Sequence, residues 1–296
     1  MRRHLIFAAT FTGFCACAPA HAVTMWGVDS NTAGSDRVVR FESSNPAGTI
    51  VTVSTTGVTG FLMSGLDFDA AGTLYACSAG ATSVTGSLYT INQSIGAATL
   101  VGSLALPSGR NITDMTFNPA TAQMHGVAFD GQRNYLYTIS TTTGAASLVG
   151  EINSPGSILL GLCADAAGRL YVEASGGRML VLDGLNAVAM PQSIGVNTIF
   201  SQGMTMDWSQ GGAWYLAATF QHEVGGFNAR GDVRLIDRAT GGTQRILGTW
   251  PQLSNDTYPR YAIGDIAIRP VPEPASVLTL CVLVFVARHP CRASQK

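Results

Sequence analysis

The chain has 296 residues, a formal net charge of −1 and only 12% charged residues, about half the usual share of a soluble domain. That balance excludes the basic footprint of a nucleic-acid binder and gives no electrostatic pull toward anionic lipid. Hydrophobic residues at 46% exclude a disordered chain, and 34 glycines with abundant Ser and Thr suit short strands joined by tight turns.

The N-terminus predicts a Sec signal peptide over 1–22. Arg2, Arg3 and His4 form the positive start, Leu5 to Cys17 the apolar stretch, and Ala20 and Ala22 occupy the cleavage subsites. Phe14 and Cys15 fit poorly before an acylated Cys17, so the mature chain is expected to begin at Val23.

The body, 23–270, is repetitive. Gly86-Ser-Leu-Tyr-Thr-Ile to Leu-Val-Gly102 parallels Asn134-Tyr-Leu-Tyr-Thr-Ile to Leu-Val-Gly150, each a strand, a Gly-closed turn and a returning strand. Looser hairpins lie at Asp36 to Ser54, Gly177 to Ser193 and Gly231 to Gly248. A second unit recurs as Gly65-Leu-Asp-Phe-Asp69-Ala-Ala-Gly72, Asp114-Met-Thr-Phe-Asn118, Gly161-Leu-Cys-Ala-Asp165-Ala-Ala-Gly168, Gly203-Met-Thr-Met-Asp207 and Gly264-Asp-Ile-Ala-Ile268. Four strands per repeat predict an all-β chain folded as a β-propeller. Val23 to Asp29 reads as the second strand of a blade lacking its first, and Ala262 to Ile268 as a first strand lacking its followers. Joining them predicts five four-stranded blades, the last closed by both termini, which removes two exposed sheet edges. Thr219 to Gly231 and Trp250 to Tyr261 read as insertions. The repeats resemble those of bacterial secreted propellers related to the NHL and Kelch-like groups, a resemblance that implies architecture and not activity.

The C-terminus reads Pro272-Glu273-Pro274, then an uncharged apolar run over 275–287, then Arg288 and Arg292. Prolines end the preceding strand, the apolar run suits lipid, and the arginines favour the cytoplasm. At this length the run is shorter than the roughly 17–25 residues of a full span. The segment 271–296 resembles the PEP-CTERM sorting signal of Gram-negative bacteria. The resemblance implies a short membrane helix at about 275–287, an exosortase-type processing enzyme as partner, and transient inner-membrane anchoring before release to the cell surface or medium.

Candidate chemistry is sparse. Asp69, Asn118, Asp165 and Asp207 share one repeat position and could form a calcium-binding or catalytic ring, but Asp-Ala-Ala-Gly is also a turn pattern in which Asp holds backbone amides. The turn reading is preferred, since the fifth copy carries Arg269. Asp67 stands inside the inner strand, where the other repeats have Thr116, Cys163, Thr205 and Ala267. His125 and His222 lack metal-ligand spacing, and Glu42, Glu151, Glu173 and Glu223 are locally unpaired. No cofactor and no catalytic residue is assigned. Cys77 and Cys163 are expected as two separate buried thiols. Trp214, Phe220, His222, Phe227, Trp250, Tyr258 and Tyr261 offer either a carbohydrate platform or blade packing, and packing is preferred. The expected function is a non-enzymatic surface or matrix protein whose propeller is a binding platform, with extracellular polysaccharide as candidate ligand. The alternative is a secreted propeller hydrolase or lyase acting on polysaccharide or lactone.

Overall fold

The paired motifs Ser-Leu-Tyr-Thr-Ile and Tyr-Leu-Tyr-Thr-Ile place aromatic and β-branched residues at alternating positions, which suits a pleated strand with one face against a neighbour. Four of the five hairpin turns carry a Gly in the left-handed region, and the hairpin over Asp36 to Ser54 turns instead through a short helix at Pro46–Thr49. Gly96 (φ +69°) returns its amide to Asn92 O at 2.7 Å, and Gly144 (φ +79°) to Ser140 O at 2.8 Å.

The computed structural model describes residues 22–30, 35–59, 62–79, 86–154, 156–198, 203–208, 212–218, 221–223, 226–227, 231–250 and 262–270. The chain opens with β1 (Thr24–Asp29), β2 (Ser35–Glu42), the short helix α1 (Pro46–Thr49) and β3 (Val51–Thr59). Blade one is β4 (Met63–Phe68), β5 (Leu74–Ser78), β6 (Ser87–Ile91) and β7 (Ala98–Ser103). Blade two is β8 (Asn111–Asn118), β9 (Gln123–Phe129), β10 (Asn134–Ile139) and β11 (Ala146–Ile152). Blade three is β12 (Leu159–Ala164), β13 (Leu170–Ala174), β14 (Arg178–Asp183) and β15 (Asn186–Ser193). After β16 (Asn197–Thr198), blade four begins with β17 (Gly203–Asp207) and β18 (Ala213–Ala218). An insertion supplies β19 (Gln221–Glu223) and β20 (Gly226–Phe227), which form a small separate sheet in the order β16-β19-β20. Blade four finishes with β21 (Asp232–Ile236) and β22 (Thr243–Thr249), and β23 (Ile263–Ile268) completes the chain's strands.

β23 pairs antiparallel with β1, Met25 opposite Ile268 and Gly27 opposite Ile266, so blade five is β23-β1-β2-β3. The described residues therefore form a five-bladed propeller of four-stranded antiparallel sheets, closed by strands from both ends of the body. The inner strands β4, β8, β12, β17 and β23 touch one another in that order around a central axis.

Five apolar clusters fill the five gaps between blades. Met115 and Phe117 of blade two pack on Cys77 and Leu88 of blade one, for example, and Tyr215 of blade four packs with Ile266 and Phe41 of blade five. Inner strands are buried on both faces, which is why the inner units read as short apolar runs, while the outermost strands are exposed or half-buried along most of their length. No helix among the described residues is long and apolar enough to cross a membrane. The expected helix at 275–287 lies outside the described residues, as do Pro272, Glu273, Pro274, Arg288, Arg292 and Ala20.

Candidate functional site

The inner units align residue by residue around the axis, and their first position reads Gly65, Asp114, Gly161, Gly203 and Asp265. A Cβ on Gly203 would collide with the backbone of Asp265 and Ile266, so glycine there makes room for the aspartate beside it. Asp114 accepts from its neighbour Met115 N at 2.6 Å and, across the blade gap, from Leu162 N at 2.5 Å. Asp265 repeats the arrangement with Ile266 N at 2.7 Å and with Leu66 N of blade one. The two buried carboxyls are near enough to influence each other. Burial pushes both well above the ordinary carboxylate range, and their mutual interaction raises Asp114 further.

Two residues along each strand, Asp67 is the acid of the next level. Its Oδ2 accepts from Thr116 Oγ1 at 2.9 Å and Phe117 N at 2.8 Å, and its Oδ1 from Phe68 N at 2.8 Å. Burial pushes its pKa up to about 6, against the lowering effect of these donors. Asp67 keeps some exposure because it faces a cavity of about 30 Å³ with Thr116, Thr205, Asp207 and Trp208, room for about one or two waters. Trp208, from blade four, reaches across this mouth. Its Nε1 donates to Ala164 O of blade three at 2.9 Å, and its ring centroid is 6.4 Å from that of Phe117 in blade two.

Beside the mouth, a cleft of about 510 Å³ opens between blades one and two. Phe117, Met124 and Ile139 supply apolar wall, while Asp69, Gln123, Thr138, Ser140, Thr141 and Thr142 supply polar groups. Asp69 is held by its turn, its Oδ1 accepting from Thr73 N at 2.8 Å. Below it Tyr75 is pushed up, first by burial and then by the charge of Asp69, although its bond to Thr141 works against both.

The preferred turn geometry at Asp69 and Asp165 is present. Asp165 Oδ1 accepts from Ala167 N at 3.0 Å and Arg169 N at 2.9 Å, and its other oxygen meets Arg238 at 3.4 Å. These acids do not converge: Asp69 lines the cleft, Asp207 the channel mouth, and Asp165 is paired with Arg238. No three His, Cys, Asp or Glu side chains among the described residues are grouped to hold a metal ion. His125 is buried, which pushes its pKa down. Cys77 and Cys163 are separate buried thiols, and burial raises Cys77 to about 12. Trp214 packs on Tyr171 at 4.9 Å and Trp250 on Phe41 at 5.1 Å, so both belong to blade interfaces. Phe220, Tyr258, Tyr261 and the side chains of His222 and Phe227 lie outside the described residues.

Spacing within one repeat could not reveal the Asp114–Asp265 pair, because its members come from blades two and five. A signal was nonetheless present: both replace a glycine of the repeat position shared by Gly65, Gly161 and Gly203.

No protein-family model matches the chain, and no curated protein matches it. Among solved structures it is similar to a proposed 6-phosphogluconolactonase of Bacteroides fragilis, at 13% identity and a TM-score of 0.45, covering 77% of this chain and 81% of that one. It is also similar to the periplasmic gluconolactonase of Pseudomonas aeruginosa, at 11% identity and a TM-score of 0.43, covering 85% and 99%. A Bacteroides caccae protein of unknown function matches at 10% identity and a TM-score of 0.45, covering 84% and 100%. At such identities the likeness is one of fold. The expectation of a non-enzymatic binding platform is corrected here. It rested on the lack of clustered catalytic groups in the sequence, whereas folding sets one carboxylate, Asp69 of blade one, against the hydroxyls of Thr138, Ser140, Thr141 and Thr142 of blade two in a ligand-sized cleft.

Proposed function

We propose that this chain is a propeller hydrolase that opens a sugar lactone in the cleft between blades one and two. One observation carries the reading: a cleft of about 510 Å³ sets the carboxylate of Asp69 against a rim of hydroxyls and an amide. That volume falls within the range of small-molecule sites. Hydroxyls both donate and accept, so Thr138, Ser140, Thr141 and Gln123 suit the vicinal hydroxyls of a sugar ring. One oxygen of Asp69 is fixed by Thr73 N, which orients the other toward a water as general base. In the proposed reaction the water oxygen bonds to the lactone carbonyl carbon while its proton passes to Asp69. The ring C–O bond then breaks, the departing alkoxide takes that proton back, and the product is the open hydroxy acid. Asn can keep the bond to Thr73 N but cannot take the proton. Asp69→Asn is therefore expected to lower kcat for a sugar δ-lactone on the order of 100-fold or more with little change in KM. Stopped-flow or pH-stat hydrolysis corrected for the spontaneous rate checks this; an unchanged kcat would remove Asp69 from the chemistry.

We further propose that the enzyme is exported. The basic start, apolar stretch and Ala20–Ala22 site support a cleaved signal over 1–22, and Pro272-Glu273-Pro274 with Arg288 and Arg292 supports PEP-CTERM sorting of 271–296 by an exosortase-type enzyme. Deleting residues 272–296 should shift the protein from the membrane fraction to the periplasm or medium. Unchanged partitioning on fractionation would argue against the sorting reading.

A further inference from the structure

We infer that the cleft between blades one and two selects a neutral, polyhydroxylated lactone and discriminates against its phosphorylated counterpart. This rests on the hydrolase reading above and adds the charge of the substrate. Among the described residues the cleft lining holds no Arg, Lys or His; its polar members are one carboxylate, one amide and hydroxyls. A phosphate dianion is normally received by a guanidinium, an ammonium, a helix N-terminus or a run of free backbone amides.

Among the described residues, no guanidinium, ammonium or helix N-terminus lines the cleft. The walls are strands and turns, and the one described helix, α1, belongs to the β2–β3 connection of blade five. In the turn that forms the outer wall, Thr143 N donates to Ser140 Oγ at 3.2 Å and Gly144 N to Ser140 O at 2.8 Å. Arg269 of blade five lies against Gly72, at the end of the turn that carries Asp69, and is not among the residues that line the cleft. Two other arginines are engaged elsewhere. Arg238 pairs with Asp165 in the neighbourhood of blade three. Arg110 lies 3.5 Å over the ring of Tyr135 and donates to Tyr137 Oη at 2.5 Å.

The field already present in the cleft is negative. After burial, the charge of Asp69 is the second cause that raises Tyr75. A phosphorylated ligand would bring about two further negative charges toward the same carboxylate. A neutral sugar lactone meets hydroxyls and Gln123, each able to donate and accept.

The test uses the full chain with two probes, glucono-δ-lactone and 6-phosphoglucono-δ-lactone, at low and moderate salt. The neutral lactone is expected to have a kcat/KM roughly tenfold or more above the phosphorylated one, the gap narrowing as salt screens the repulsion. Placing a cation on the rim, Thr142→Lys, is expected to raise kcat/KM for the phosphorylated probe and close much of the gap. Equal turnover, or preference for the phosphorylated lactone, overturns the inference and leaves the hydrolase reading standing. Turnover of neither probe overturns the hydrolase reading itself, and the inference falls with it.

Discussion

Glu173 lies wholly buried on β13. Its Oε1 accepts from the hydroxyl of Thr198, on β16 of the insertion sheet, while Oε2 makes no hydrogen bond. The Thr198 hydroxyl and the nearby Gly177 amide favour the charged form, but burial outweighs them and carries the pKa from 4.5 to about 8. A carboxyl raised in the folded state binds its proton more tightly there than in the unfolded chain. Its contribution is therefore complete below about pH 4.5 and disappears as pH climbs through about 8. The full swing is on the order of 4 kcal/mol. Asp67, with a folded pKa of about 6, works in the same direction over a lower window. The wild-type melting midpoint should thus fall steadily between pH 5 and 9. In Glu173→Gln, which has no proton to lose, the fall above pH 6 should be shallower, the remainder coming from the buried Asp114 and Asp265, and the variant should be the more stable protein at pH 9. Thermal unfolding by circular dichroism at each pH checks this; parallel slopes in the two proteins would show that Glu173 does not carry the dependence. Nothing in Leu170-Tyr-Val-Glu-Ala174 marks this glutamate as buried, because the strand that covers it arrives from a different repeat.

At the scale of elements, legibility follows the turn residues. The hairpins β6–β7, β10–β11, β14–β15 and β21–β22 lie where the repeated Gly-closed patterns put them, and β2–β3, joined through α1, lies over the looser copy at Asp36 to Ser54. Inner strands are buried on both sides and carry no alternation, yet four are marked by the Asp or Asn turn that follows the apolar run. The fifth, β23, lacks that turn residue and carries Arg269 instead; the unpaired ends of the body revealed it. The insertion at Thr219 to Gly231 does contain strands, β19 and β20, but they form a separate sheet with β16 outside the blades. The candidate site was legible only as separate residues. Asp69 was visible as a turn acid, while the opposing wall at Thr138 to Thr142 belongs to the following repeat. A cleft between two repeats is set by how blades pack, and in-repeat spacing contains no information about that distance. The same holds for the Asp114–Asp265 pair, two glycine positions turned acidic on strands about half a chain apart.

Those acids matter most for the molecule as a whole, since they sit where the ring is drawn together. Blade five is built from both ends of the body, and β23 supplies its innermost strand. That strand buries Ile263, Ile266 and Ile268 against blade four, places Asp265 on the Leu66 amide of blade one, and gives β1 its inner partner. Burying three such side chains contributes about 5–9 kcal/mol, comparable with the net stability of a whole domain at about 5–15 kcal/mol. Losing β23 would also bare the edge of β1 and leave neighbouring inner strands open to pairing with other chains. A chain ended after Pro270 keeps all of these contacts, whereas one ended after Arg260 loses every one. The first should retain the cooperative melt and monomeric elution of the signal-free body with its tail. The second should show no cooperative transition and should aggregate on size exclusion. If the shorter chain melted cooperatively as a monomer, the closing strand would be dispensable and the ring would be held by the blade interfaces alone.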